Sequence, residues 1–350
     1  MSESLADTPL KTLPALSKIP PFPPIVLRVF DLLASEDVEI RKLVELLTAD
    51  AAFSAQILRM ANSPLFGFHS RIDSLQHALV ILGLRRVRSL AMTVATANYM
   101  QTALKIKELD RCWRHTLACA LLTEELARAC SLPDDVAYTA GLLHDIGRLG
   151  LLVAHPKQYA QLLEEASRNA LELLDLEQKL FGVDHCEAGR FLAQQWNLPE
   201  DIMIVAGRHH DPPDGPAQDL TTLTYLGCQL ADTLGFWVVP PLRALEIAEI
   251  QALLPAPARS RFAPNAEHLT RSIERRIRSH EVLIGPPQEP ALSYGAEPEE
   301  ESAEAESADV RRAVEAASPR YSVWRDLGLI VLLGLLFASA FILLLYLANR

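Results

Sequence analysis

The sequence predicts an all-α protein, and three observations carry that expectation. Along residues 20–283 apolar side chains recur at helical spacing, and no run sustains the period-two alternation of a half-buried strand. The bulk of the chain is Leu, Ala, Glu and Arg, residues that favour helix. Its 15 glycines are about 4% of 350 residues, against a usual ~7%. That is too few for a glycine-looped nucleotide fold, a sandwich or a barrel. With 49% apolar and 22% charged residues, most of the chain can bury a core.

The elements follow in order. Residues 1–19 form an N-terminal extension, polar and interrupted by proline, with no apolar run of the kind a signal peptide needs. Pro20, Pro21, Pro23 and Pro24 make a stiff entry to the apolar set Ile25, Leu27, Val29, Phe30, Leu32 and Leu33. Val38 to Leu47 is amphipathic. The stretch from Asp50 ends at Asn62, Ser63 and Pro64, a stop signal. Asp73 or Ser74 caps a helix through Leu82, which Gly83 ends, and a further helix runs from Leu84 past Asn98. Helices are then expected at 109–130, 134–143, 160–166, 171–181, 186–196, 199–207, 220–234, 242–254 and 267–280.

Beyond residue 283 the composition changes. Between Gly285 and Asp326 stand ten acidic residues and four arginines, a net of −6 out of −11 for the whole chain. Proline and serine are interspersed, so residues 284–326 are expected to be an acidic, disordered tether. Residues 327–349 carry no charge across 23 positions, and a single membrane-crossing helix is expected over 327–348, with Trp324 and Tyr346 near its ends. Arg311, Arg312, Arg320 and Arg325 precede that span and Arg350 alone follows it. This asymmetry places the residue 20–283 head in the cytosol, on the inner (cytoplasmic) membrane. Gly334 and Ala338 form one small-residue pair, compatible with a homodimer. The acidic balance (pI ≈ 5.4) argues against direct DNA binding. Cys112, Cys119, Cys130, Cys186 and Cys228 show no CxxC spacing and read as reduced, mostly buried small residues.

One ordered set carries chemistry: His115, then His144–Asp145 in GLLHDIG, His185, the pair His209–His210, and Asp232. Neutral imidazoles and carboxylates suit a divalent transition metal (Fe, Mn, Zn or Ni), and an aspartate can bridge two ions. Two ions about 3.5–4 Å apart would clamp a phosphodiester for in-line attack. Taken singly, a helical histidine is more often a packed or capping group. That reading is adopted for His69, His77, His155, His268 and His280 and stays open for the ordered set.

At these residues the chain resembles the HD superfamily, and within it the HDOD (HD-related output domain) branch. The resemblance spans Leu13 to Leu283 and rests on LPALSKIPPFPPIVLRVFDLL, DAAFSAQILRMANSPLFG, IDSLQHALVILGLRRVRSLAMTVA and GLLHDIG. It implies a multi-helix HD-type bundle over 20–283 and a regulatory signal-transduction module acting through contacts with signalling proteins. Most members lack a complete metal set. Here His115, His144, Asp145, His185, His209, His210 and Asp232 match the ligand order of the HD-GYP cyclic di-GMP phosphodiesterases, implying one or two metal ions. HHDPPDGP is a partial echo of their HHxxxDGxGYP, but Gly215 is followed by Pro216, Ala217 and Gln218. The missing Gly-Tyr-Pro bears on substrate recognition more than on metal. Arg148 and Arg208 read either as phosphate contacts or as surface charges. The alternative function is a metal-dependent phosphohydrolase of cyclic dinucleotides or nucleotides.

Overall fold

In the computed structural model the described residues are 12–21, 27–28, 40–63, 66, 71–103, 108–169 and 171–281, and they contain helices and no strand. The tether, the 327–348 span, most of the proline-rich entry and His69 lie outside them. No helix among the described residues is long and apolar enough to cross a membrane.

Helices α1 (Thr12–Leu16), α2 (Ile40–Thr48), α3 (Ala51–Ala61), α4 (Leu75–Leu82) and α5 (Leu84–Ala103) form the first part. Their ends follow local chemistry. Asp50 caps α3 by accepting from the Phe53 amide, and Ser74 caps α4 by accepting from the His77 amide. Gly83, at φ 79, takes the left-handed conformation that lets α5 start at once after α4. Asn62 bridges back to the Ile72 backbone at 2.7 Å in both directions, tying α3 to the approach of α4.

The core follows. It consists of α6 (Glu108–Cys130), α7 (Asp134–Leu143), α8 (Ile146–Ala154), α9 (Pro156–Asn169), α10 (Leu173–Phe181), α11 (His185–Gln195), α12 (Glu200–Arg208) and α13 (Leu220–Thr233). Short helices α14 (Ile247–Ala252) and α15 (Ala256–Arg261) lead to α16 (Ala266–Glu281). Helix α6 is the central rod, packed by α7, α13, α15 and α16, while α8 and α11 form a second tight pair. Helix α16 is clamped onto α6 by charge as well as apolar burial: Arg276 meets Glu124 and Glu125, and Arg114 meets Glu274 at 2.6 Å.

Glycines set the closest crossings. A Cβ on Gly141 of α7 would lie 2.8 Å from the Ala120 Cα of α6. One on Gly227 of α13 would lie 2.1 Å from the Thr123 hydroxyl of α6, and one on Gly147 of α8 would lie 1.9 Å from the His185 carbonyl of α11. These three approaches bring α6, α7, α8, α11 and α13 together, and the ordered histidines sit where they meet.

Several expected elements differ. The expected 160–166 helix is α9, extended to Pro156–Asn169 because Pro156 fits a first helical position. The 242–254 expectation shrinks to α14, since Pro240 and Pro241 hold the preceding chain extended and Leu242 is exposed. Helix α8 had no counterpart in the sequence reading.

Candidate metal centre

Four of the five clustered histidines stand at helix ends. His144 is the C-cap of α7 and Asp145 the N-cap of α8, so a break of two residues between the helices turns the two side chains into a common space. His185 opens α11. Its place is fixed by Gly182 in the left-handed conformation and by a capping box in which the Asp184 side chain accepts from Glu187 N and Glu187 reaches back to Asp184 N. His209 is the C-cap of α12 and His210 follows it. His115 alone comes from mid-helix, on α6.

Asp145 is the hub. Its Oδ1 lies 3.5 Å from both His185 Nε2 and His209 Nε2, and its Oδ2 lies 3.6 Å from His144 Nε2 and 3.8 Å from His115 Nε2. All five side chains are buried. The other nitrogen of each ring is taken. Nδ1 of His115 donates to the Phe236 carbonyl at 2.7 Å, that of His144 to the Gly141 carbonyl at 2.7 Å, and that of His209 to the Ala206 carbonyl at 3.2 Å. His185 Nδ1 meets Glu177 Oε2 at 2.7 Å. Each Nε2 therefore faces inward, the orientation that outer partners impose on metal-binding imidazoles.

Three buried acceptors have no hydrogen-bond donor: His144 Nε2, His209 Nε2 and Asp145 Oδ1. Three acceptors converging in a buried space with nothing donating to them leave a place that suits a cation. The donor set, imidazole nitrogens and one carboxylate, is that of Fe, Mn, Zn or Ni. On this structural ground the residues fit a transition metal.

Beside this space stands a positive charge of the protein's own. Arg148, buried on α8, donates through Nε to Asp145 Oδ2 at 2.7 Å, and its Nη2 lies 3.1 Å from His185 Nε2. It is not a surface charge. Arg208 is one, paired with Asp211 at 2.8 Å in the open. Behind Arg148, Glu177 is wholly buried, accepts from the Tyr159 hydroxyl and the His185 amide, and lies 3.9 Å from Arg148 Nη1. His210, half-buried, sits with Nε2 3.1 Å from His185 Nε2.

The electrostatics follow from burial and this guanidinium. Burial opposes ionisation of Asp145, but Arg148 and then His144 overcome it and hold its carboxyl well below the ordinary range. Burial, with Arg148 next, keeps His185 neutral well below the usual imidazole value, and burial with His209 does the same for His210. Burial lowers His115 too. Glu177 is pushed up to about 7 by burial. His144 goes the other way: burial opposes its charge, but Cys228 and then Asp145 raise it to about 9, so a metal there must displace a proton. The neutral imidazoles of His115, His185 and His210 beside an ionised carboxylate are already in the state a metal requires.

Of the seven residues expected from sequence, six come together, five histidines gathered at or beside Asp145. Asp232 stands at the margin: its Oδ1 lies 3.9 Å from His115 Nδ1, the nitrogen already bound to Phe236, and burial and then Cys228 raise its carboxyl to about 7. Sequence reasoning missed Glu177, Tyr159, Cys119 and Cys228. Glu177 did leave a signal, because it occupies the apolar face of α10 between Leu176 and Leu180, where a carboxylate needs a buried partner.

Fold and site together define a helical domain that gathers imidazoles and one aspartate at the ends of packed helices. Residues 19–212, more than half of the chain, match the HDOD domain, and the chain belongs to that family. It is similar to the crystal structure of an HDOD domain protein of Geobacter sulfurreducens (TM-score 0.62, 24% identity, 78% of this chain and 97% of that one). A protein of Shewanella amazonensis SB2B, described as a candidate phosphohydrolase, shares the fold at TM-score 0.59 and 21% identity (79% and 99%). An uncharacterized protein of Treponema pallidum (strain Nichols) is 27% identical over 205 residues, 58% of this chain and 40% of that protein's length.

Proposed function

We propose that this chain is a regulatory HDOD protein of the inner membrane whose cytosolic head holds a divalent transition-metal ion and acts through contacts with signalling proteins. The observation that carries the metal is the convergence of three donor-less buried acceptors, His144 Nε2, His209 Nε2 and Asp145 Oδ1. His115, His144, Asp145 and His209 hold the ion, with His185, His210 and Asp232 around it. The bound ion supplies Lewis-acid polarisation and a point of structural tension between helices.

Arg148 supports regulation over turnover. A second ion would need Asp145 together with His185, and the guanidinium already bonds both, at 2.7 and 3.1 Å. A fixed arginine neutralises Asp145 without opening a coordination position to a phosphodiester. The Gly215-Pro216-Ala217 sequence, lacking the Tyr of the HD-GYP signature, points the same way. The second reading, a metal-dependent phosphohydrolase, is favoured by the HD-GYP-like ligand order and by the buried Glu177–His185 pair, which would set His185 for an ion.

Elemental analysis of the full chain in detergent, followed by a phosphodiester screen with Mn or Fe, separates the two. We expect about one ion per chain, lost in Asp145→Ala, with no turnover. Cyclic dinucleotide hydrolysis by the wild type, abolished in Asp145→Ala, would establish the second reading. The anchor over 327–348 is supported by its uncharged composition and flanking arginines. The chain should resist carbonate extraction, and Leu335→Arg with Leu336→Arg should release it, each charge costing about 2.5–3.5 kcal/mol at mid-bilayer. Unchanged retention of that double variant would refute the anchor.

A further inference from the structure

Two thiols border two of the same imidazoles, His115 and His144. Cys119 lies one turn after His115 on α6, and Cys228 projects from α13 beside Gly227, whose missing Cβ lets α13 meet α6 at Thr123. Both thiols are buried. One ligand atom from each of His115, Cys119, His144 and Cys228 can be chosen so that all four lie within 4.8 Å of one another.

We propose that His115, Cys119, His144 and Cys228 form a sulfur-bearing metal site, and that its two thiolates make the head select a thiophilic ion of the zinc class over manganese or iron. This inference rests on the reading of the head as metal-binding and re-centres its ion on His115 and His144 with the two thiols; zinc retained in Asp145→Ala would separate this site from an ion centred on Asp145.

Three features support it. The donor set is two sulfurs and two nitrogens, the composition of closed tetrahedral zinc sites. Cys119 Sγ lies 3.5 Å from His115 Nε2. Two ligands bound at about 2.3 Å (sulfur) and 2.0–2.1 Å (nitrogen) with a tetrahedral angle stand roughly 3.5 Å apart. Finally, His115 and His144 are prepared for it: the Phe236 and Gly141 carbonyls take both Nδ1 protons, and His144 Nε2 is buried without a partner. Soft thiolates favour zinc over the harder ions that Asp145 and imidazoles alone would accept. An imidazole nitrogen has one lone pair, so an ion held by the cysteines draws His144 away from the Asp145–His209 side.

The test uses the full chain in detergent, reduced, stripped with a chelator and titrated with Co²⁺. We expect thiolate-to-cobalt charge transfer in the near ultraviolet with intense tetrahedral absorption in the visible. Both should be lost in Cys119→Ser/Cys228→Ser, a variant whose helical spectrum is checked alongside. X-ray absorption of the zinc-loaded wild type, which needs no variant, should show sulfur at about 2.3 Å. Zinc affinity should fall in the double variant by more than the roughly 10–100-fold that a lost outer-shell partner costs. Cobalt bound without charge transfer, or only nitrogen and oxygen around zinc, would overturn this site and leave the metal-binding head standing. A wild type that binds neither cobalt nor zinc would overturn both.

Discussion

Gly147→Ala puts the helix crossing that builds the site under direct strain. An alanine Cβ there would stand 1.9 Å from the His185 carbonyl oxygen, 2.3 Å from the Gly189 nitrogen and 2.8 Å from the Gly189 Cα. Ordinary contact begins near 3.4 Å, so α8 and α11 must part by about 1.5 Å. All three obstacles are backbone atoms, and no rotamer change relieves them. Overpacking of this kind costs about 1–3 kcal/mol, occasionally more. The same displacement pulls His185 from Arg148, now 3.1 Å apart, and leaves a buried charged donor unpaired at about 1–3 kcal/mol. Alanine's better helix propensity returns about 1 kcal/mol. The net is about 3 kcal/mol, and at about 2–4 °C per kcal/mol the melting midpoint should fall by about 6–12 °C. Far-ultraviolet circular dichroism of the variant measures it. The control is Gly150→Ala on the same helix, whose Cβ meets only the movable ends of Leu192 and Leu16 at 2.5 and 3.1 Å. A Gly147→Ala protein that melts with the wild type, or no lower than Gly150→Ala, would refute the close-crossing argument.

Arg148→Met removes the internal cation. Without metal it should destabilise by about 3–5 kcal/mol, because Asp145 is left buried and uncompensated. Added Mn²⁺ or Zn²⁺ should restore the melt and raise the stoichiometry above that of the wild type. An unchanged metal count would mean that Arg148 does not hold a second ion's place. His280 gives a pH dependence. It is buried at the end of α16 with Nδ1 bonded to the Arg276 carbonyl, and burial lowers its pKa to about 4. The unfolded chain therefore takes up a proton that the folded one refuses, so stability is whole above about 6.5 and falls as pH drops toward 4, by up to about 3 kcal/mol. The wild type minus His280→Gln difference in denaturant midpoint across that window reads it, and a flat difference would contradict it.

Helix boundaries were legible wherever a residue type fixes a backbone. Asp134 and Asp135 after Pro133 located α7 to the residue, as Ser74 and Gly83 did for α4. Helix α8 was hidden because IGRLGLLVA carries two glycines, and nothing local shows that the chain breaks at His144–Asp145. The order of histidines and aspartates was visible, and six of the seven converge. Arg148 was not readable as an interior group, since an arginine's burial depends on Glu177 and His185, 29 and 37 residues away. Cys119 and Cys228 looked like packing residues for the same reason: they become neighbours only when α6 and α13 cross.

The partners of the cluster divide by their distance along the chain. Asp145 meets Arg148 three residues on, His144 meets Gly141 three back, and His209 meets Ala206 three back. His185 finds Arg148 across 37 residues, and His115 finds Phe236 across 121. Short loops close early and long ones late. Loop closure therefore favours the short-range bonds at each helix end over those that complete the set, and the native topology is expected to form without an ion. An ion that binds only the assembled set is expected to strengthen contacts formed late. Its influence falls on how long the native state lasts rather than on how fast it is reached.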